Sequence, residues 1–423
     1  MFQRGVEKNP VFGWFGPAAG AAIFQIIKDG GPFSRAEIVR QTGLSKSTVS
    51  MHVEKLLKMG LVAEEQSQRS GLGRKGLELK FAADAGMIIG VDLGATGIDV
   101  GLCNLEAQVI ASRSAELSVL SGPESVMERV CQLIDQLLAA APRDPAKLFG
   151  IGMGVPGPVE FDTGMPVSPP IMPGWHRYPV RAVLEARYHC PAYIDNDVNV
   201  MALGEKHSGL GKAVDNFIFV KIGTGIGAGI FCNGRLHRGT QGCAGDIGHV
   251  GVDAVATPCP CGNRGCLESV AAGPAIARMA REAAENGQSE LLAARLREKG
   301  GLTAADVGDL ASRGDLVCMA IIQRSGKTIG QVLAKLVNFF NPALIIIGGN
   351  VANLGGRFLA AIQEKIYQRS LPLATRDLEI KRSLLRERAG MIGAAAMALE
   401  EIFSHGNVTE MVYQETRKRS AQE

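Results

Sequence analysis

Asp92-Leu93-Gly94-Ala95-Thr96 joins two apolar runs, Met87–Leu93 and Ile98–Asn104, that read as strands. A carboxylate, a glycine and a hydroxyl at a hairpin turn can hold Mg²⁺ through water and cradle phosphate on backbone N–H groups. A second turn of this kind is Gly223-Thr224-Gly225-Ile226-Gly227-Ala228-Gly229, after the apolar run Phe217–Ile222. Ile230-Phe231 continues as strand, whereas a dinucleotide fingerprint should enter a helix there, so a hairpin phosphate clamp fits better. Glycine turns between strands are common, and either loop alone would say little.

Working outward, strands and helices alternate. Pro123–Ala140 reads as helix, Phe149–Val155 as strand, Pro179–Tyr188 as helix and Ala192–Asp195 as strand. A helix near Asp315–Phe340, a strand Leu344–Ile347 and a Gly/Ala-rich helix Gly390–Ile402 follow. This predicts a two-lobed α/β body. Between the glycine loops, Asp195-Asn196-Asp197 ends a strand. A carboxylate there can take a proton from an attacking hydroxyl beside an amide that recognises neighbouring hydroxyls. An Asx turn or helix cap explains the tripeptide equally well.

The first 80 residues differ from this body. They carry 12 Lys and Arg against 7 Asp and Glu, whereas the other 343 carry 33 against 35. The whole-chain charge of +3 therefore averages a basic module with a nearly neutral body. Residues 17–29 predict a helix stopped by Gly30-Gly31-Pro32. Ser34 caps a second helix with Glu37 at the capping-box position, and Ser45 begins a third that ends at Gly60. Leu61–Glu65 and Leu77–Phe81 predict a two-stranded wing, completing a winged helix-turn-helix over 1–82. Arg35 and the start of the third helix, Ser45, Lys46, Ser47, Thr48 and Ser50, are the candidate DNA contacts. Arg74 and Lys75 at the glycine-flanked wing tip suit a narrow minor groove. A solvated helix and a flexible basic linker would explain any one of these pieces.

His249 precedes Cys259, Cys261 and Cys266 within 18 residues. One imidazole and three thiols make the ligand set of a closed structural zinc site. The remaining cysteines, Cys103, Cys131, Cys190, Cys232, Cys243 and Cys318, are expected in the core. Such cysteine usage points to a reducing cytoplasm. The uncharged stretch Val11–Ile27 is short for a membrane span and lacks a cleavage site, so it reads as the first helix of a small domain. The 46% apolar content excludes global disorder, and the 53 glycines are expected mainly in tight turns and ligand loops.

Together these motifs resemble the ROK family of bacterial repressors and sugar kinases. The likeness covers essentially the whole chain: Asp92–Thr96, Gly154-Val-Pro-Gly157, Asn196-Asp197, Gly223-Thr-Gly225, Asp246-Ile-Gly-His249, the cysteines with Glu268, and Gly348-Gly349. It implies an actin-like/hexokinase-like fold, with a first lobe over 83–195 completed by a C-terminal helix 388–412, and a second, zinc-bearing lobe over 196–387. It implies that Asp197 is the base on a sugar hydroxyl, and that Asn196, Asp246, His249 and Glu268 hold the sugar. The phosphate site would comprise Asp92, Gly94, Thr96, Gly223, Thr224 and Gly225. The family usually has Glu at the position of Asp246, and one methylene less draws that carboxylate back from the sugar. Gly97 stands where the kinases often have Lys.

The winged helix resembles the repressor branch. The expected protein is a sugar-responsive repressor with operator DNA and a sugar or sugar phosphate as partners, forming a homodimer or homotetramer. The alternative is an ATP- and Mg²⁺-dependent sugar kinase with a DNA-binding arm. A regulatory protein partner would be a third mode of control.

Overall fold

The computed structural model describes residues 17–67, 76–141, 144, 147–252, 256–404, 406–409 and 411. At the N-terminus, α1 (Pro17–Gly30), α2 (Arg35–Thr42) and α3 (Lys46–Lys58) pack beside the antiparallel wing β1 (Val62–Gln66) and β2 (Leu77–Phe81). Local chemistry sets the boundaries. Ser34 and Glu37 form the expected reciprocal capping box, Gly43 leaves α2 with φ 70°, and the Ser45 hydroxyl accepts the Thr48 N–H. Val49, Val53 and Leu56 are fully buried on one face of α3.

The body begins with β3 (Met87–Leu93), β4 (Gly97–Cys103) and β5 (Val109–Glu116), then α4 (Pro123–Ala139) and β6 (Leu148–Val155). A small hairpin, β7 (Val159–Glu160) with β8 (Met165–Pro166), precedes α5 (Val180–Tyr188), β9 (Ala192–Asn196) and α6 (Asp197–Ser208). Next come β10 (Phe217–Ile222), β11 (Ile226–Cys232) and β12 (Arg235–Leu236). Helices α7 (Leu267–Ala271), α8 (Gly273–Glu285), α9 (Glu290–Lys299), α10 (Ala304–Ser312) and α11 (Leu316–Phe340) follow. The chain closes with β13 (Leu344–Gly348), α12 (Gly356–Arg369), α13 (Pro372–Thr375), β14 (Glu379–Arg382) and α14 (Arg388–Ile402).

Two five-stranded sheets share one topology. Their orders are β5-β4-β3-β6-β9 and β12-β11-β10-β13-β14. In each, a three-stranded antiparallel meander is extended by two parallel strands. Between the sheets lie α6 and α14. The outer face of the first sheet packs on α4 and α5, and that of the second on α8 and α10 to α12.

Helix α14 ends at Ile402, and after a break the described residues 406–409 and 411 are helical again, so the expected helix to 412 is interrupted rather than continuous. Phe403 is the C-cap of α14, and the ring turns into the N-terminal module. Residues from Ala389 to Leu399 are buried without a break, so α14 has no solvent face to give it an amphipathic pattern. Close packing requires glycine here. A Cβ on Gly152 of β6 would land on the Ala394 carbonyl, and one on Gly393 would land on the Val200 carbonyl of α6. These glycines sit in a strand and a helix, not in the loops where the excess was expected.

Among the described residues, no helix is long and apolar enough to cross a membrane.

Candidate functional site

The turns of the two meander hairpins face one cavity of about 270 Å³ between the sheets. Gly94 N–H closes the first turn on the Gly97 carbonyl at 2.8 Å, and Gly223 N–H closes the second on the Gly225 carbonyl at 2.9 Å. The predicted sugar residues Asn196, Asp197, Asp246, His249 and Glu268 all line this cavity. So do the predicted phosphate residues Asp92, Gly94, Thr96, Gly223, Thr224 and Gly225.

Asn196 acts as helix cap as well as wall. Its side-chain oxygen accepts N–H groups of Val198 and Asn199, while its amide donates to the Gly157 carbonyl at 2.8 Å. Asp197 is buried at the start of α6. Its Oδ1 accepts the Val198 N–H at 2.9 Å, and its Oδ2 meets Lys221 Nζ at 2.5 Å. Beneath them, Asp195 is held by Arg238 at 2.7 Å and by the Asn199 amide at 2.9 Å. Glu268 accepts the Ile226 N–H at 3.1 Å, tying the metal-type loop to the second hairpin. Burial pushes the Glu268 carboxyl up, against the pull of that N–H and of His249.

Asp92 is 9% exposed, and its Oδ1 has no hydrogen-bond partner. Burial pushes its carboxyl up to about 7, Lys221 pulls it down, and Asp197 and Asp99 push it further up.

His249, Cys259, Cys261 and Cys266 converge beside the cavity, with all four ligand atoms within 4.8 Å of one another. Cys261 Sγ lies 3.7 Å from Cys266 Sγ, and Cys259 Sγ lies 3.7 Å from His249 Nδ1. A tetrahedral zinc with bonds near 2.3 Å to sulfur gives edges of about 3.8 Å, so the donor set fits that ion. His249 Nε2 faces the other way, 3.8 Å from Asp246 Oδ1 and toward the cavity. The same imidazole therefore borders both centres.

In the N-terminal module the candidate DNA contacts separate into two groups. Lys46 and Ser47 are exposed and Ser50 is half-buried. Ser45 and Thr48 are joined hydroxyl to hydroxyl at 2.8 Å in the helix cap, and Thr48 is buried. Arg35 reaches Glu64 of the wing at 2.8 Å. Arg74 and Lys75 lie outside the described residues.

Sequence reasoning missed Lys221, a lone cation in the apolar strand β10; that isolation was the available signal. It also missed Arg382, Ser383 and Arg386, which line the cavity from beyond β13. Cys243, expected in the core, is exposed because it rides a glycine-flanked loop at the cavity wall.

Comparison with known proteins agrees with this architecture. The ROK family signature matches residues 88–401, and that of the MarR family matches 16–71. The xylose repressor of Caldicellulosiruptor bescii is 33% identical over 382 residues, covering 90% of this chain and 95% of that protein. A ROK family transcriptional regulator homologous to the Escherichia coli MLC protein shares the fold, with TM-score 0.78 at 24% identity, over 94% of this chain and 99% of that one. A ROK family glucokinase from Streptomyces griseus, solved with glucose and AMPPNP, has TM-score 0.66 and 27% identity over 74% of this chain and 99% of its own. The winged helix lies before the start of the ROK signature at residue 88. The chain belongs to the ROK family.

Proposed function

We propose that this chain is a sugar-responsive transcriptional repressor. Its winged helix binds operator DNA, and the cavity between its two sheets binds the sugar or sugar derivative that controls it. One observation carries the reading. The core of the winged helix is continuous with α14, the helix whose first turn borders the cavity. Burial against α14 joins the DNA module to the ligand site, a link that phosphorylation of a sugar would not need.

Lys46, Ser47 and Ser50 at the start of α3, with Arg74 and Lys75, which fall between β1 and β2 in the sequence, are the proposed DNA contacts. Asn196, Asp197, Asp246, His249 and Glu268 are the proposed sugar contacts. Asp246 stays at the exposed rim, with its side chain 48% accessible. His249 and the three cysteines hold a structural zinc that fixes the loop carrying two of these contacts. The relatives' printed names make xylose and glucose the first sugars to test. We further propose a homodimeric or homotetrameric assembly.

The test is electrophoretic mobility with the chain's own upstream DNA, with and without sugars, beside a thermal-shift screen of sugars and sugar phosphates. Asp197→Ala is expected to keep operator binding and lose the sugar's effect on it. Robust ATP-dependent sugar phosphorylation without sequence-selective DNA binding would overturn the repressor reading in favour of a kinase.

A further inference from the structure

Strand β10 reads Phe217-Ile-Phe-Val-Lys221-Ile222, and five of its six residues are buried apolar. An ammonium in such a strand is costly unless a partner compensates it. That partner is Asp197, with side-chain accessibilities of 21% for Lys221 and 8% for Asp197. Asp92 completes the group. It sits on the first sheet, its Oδ1 has no partner, and both Lys221 and Asp197 act on its ionisation. Two carboxylates and one ammonium therefore share a small volume between two glycine turns.

Two carboxylates beside phosphate-type turns form a hard oxygen donor set for a divalent cation. Such a cation would share Asp197 with Lys221, whose Nζ already meets Oδ2. Parting a buried carboxylate from its ammonium leaves one buried charge uncompensated. The other oxygen, Oδ1, already accepts the Val198 N–H. Each oxygen keeps one further lone pair, but the ammonium at Oδ2 already compensates the carboxylate's charge, so a divalent cation beside Asp197 would compete with Lys221.

We propose that Lys221 is a built-in counter-cation, holding the positive charge that a divalent metal would otherwise supply beside Asp197 and Asp92. The cavity then takes its ligand without Mg²⁺, and Asp197 is a binding group rather than a general base. This goes beyond the repressor reading and does not depend on DNA binding.

The test uses the full-length, zinc-loaded chain with Mn²⁺ as the probe, followed by electron paramagnetic resonance. Wild type and Lys221→Arg are expected to show no site, because both keep the cation. Lys221→Met is expected to gain one Mn²⁺ per chain, bound at least about tenfold more tightly than by wild type. The Lys221→Met/Asp197→Asn chain should lose it again. Millimolar Mg²⁺ should raise the melting temperature of Lys221→Met alone. If the Met chain does not fold, Lys221→Gln gives the same readings. ADP release from Mg-ATP with sugars should stay, in wild type, at the level of Asp197→Asn. Tight Mn²⁺ binding by wild type, no gain in folded Lys221→Met or Lys221→Gln, or ADP release above that level would each overturn the proposal.

Discussion

The loop from His249 to Cys266 and the cluster of Asp92, Asp197 and Lys221 border one cavity and are built in opposite ways. The loop gathers four soft ligands from 18 consecutive residues, with glycine turns between them. The cluster gathers three charges from β3, α6 and β10, residues 92 to 221, brought together only when the sheets face each other across α6 and α14. The first can be recognised in an unfolded chain. The second exists only in the folded one, and its energetics depend on burial. A short polar motif thus states its chemistry in advance, whereas a tertiary charge cluster takes its chemistry from its surroundings.

The largest expected effect lies in the loop. Cys261→Ser, or exhaustive chelation, should release one zinc per chain and lower the melting temperature by about 5 °C or more. Ligand-induced stabilisation should vanish too, because His249 and Glu268 belong to that segment. Metal analysis and thermal unfolding check both, and a chelated chain that keeps its melting temperature would break the contrast. Next comes the cluster. The folded chain holds a proton on Asp92 through roughly pH 4–7, where the unfolded chain has released it. Stability from this group is therefore present below about pH 4 and lost as pH rises through 7. Asp92→Asn should stabilise the protein by up to about 4 kcal/mol at pH 8 and by little at pH 4.5. Denaturant unfolding at the two pH values measures this; equal shifts would mean that Asp92 titrates normally. The smallest effect is again local. Ser45→Ala removes the α3 cap and should cost about 1 kcal/mol, leaving the cavity's ligand response unchanged in a thermal-shift titration.

Legibility followed the same division. The capping box at Ser34 and Glu37, the cap at Ser45 and the buried runs Met87–Leu93 and Phe217–Ile222 were readable because their signals are short-range. Helix α6 was not anticipated: Asn196, read as the end of a strand or a cap, does both, and the helix behind it is nearly all buried. The edge strand β5, in which no residue is fully buried, was passed over, as were α8 to α10 and α12. The phosphate turns were readable from their own residues and the sugar contacts through resemblance, and both sets line one cavity. Lys221 was overlooked because its role depends on a carboxylate 24 residues away on another element.

Helix α14 has one further consequence. At its first turn, Gly390 rests against the Asp92 carboxylate. At its far end, Phe403 meets Phe24, Phe81 and Phe149 at ring-centre distances of 5.2, 5.9 and 6.2 Å, and its carbonyl accepts the Gln25 amide. Fifteen residues at 1.5 Å each make a strut of roughly 22 Å. Backbone lies against backbone on both flanks of this strut, at Gly90 and Gly152 on one side and at Gly204 on the other. It has the shape of a connecting rod, running from Asp92 of the cavity to the aromatic seat formed by α1, β2 and β6.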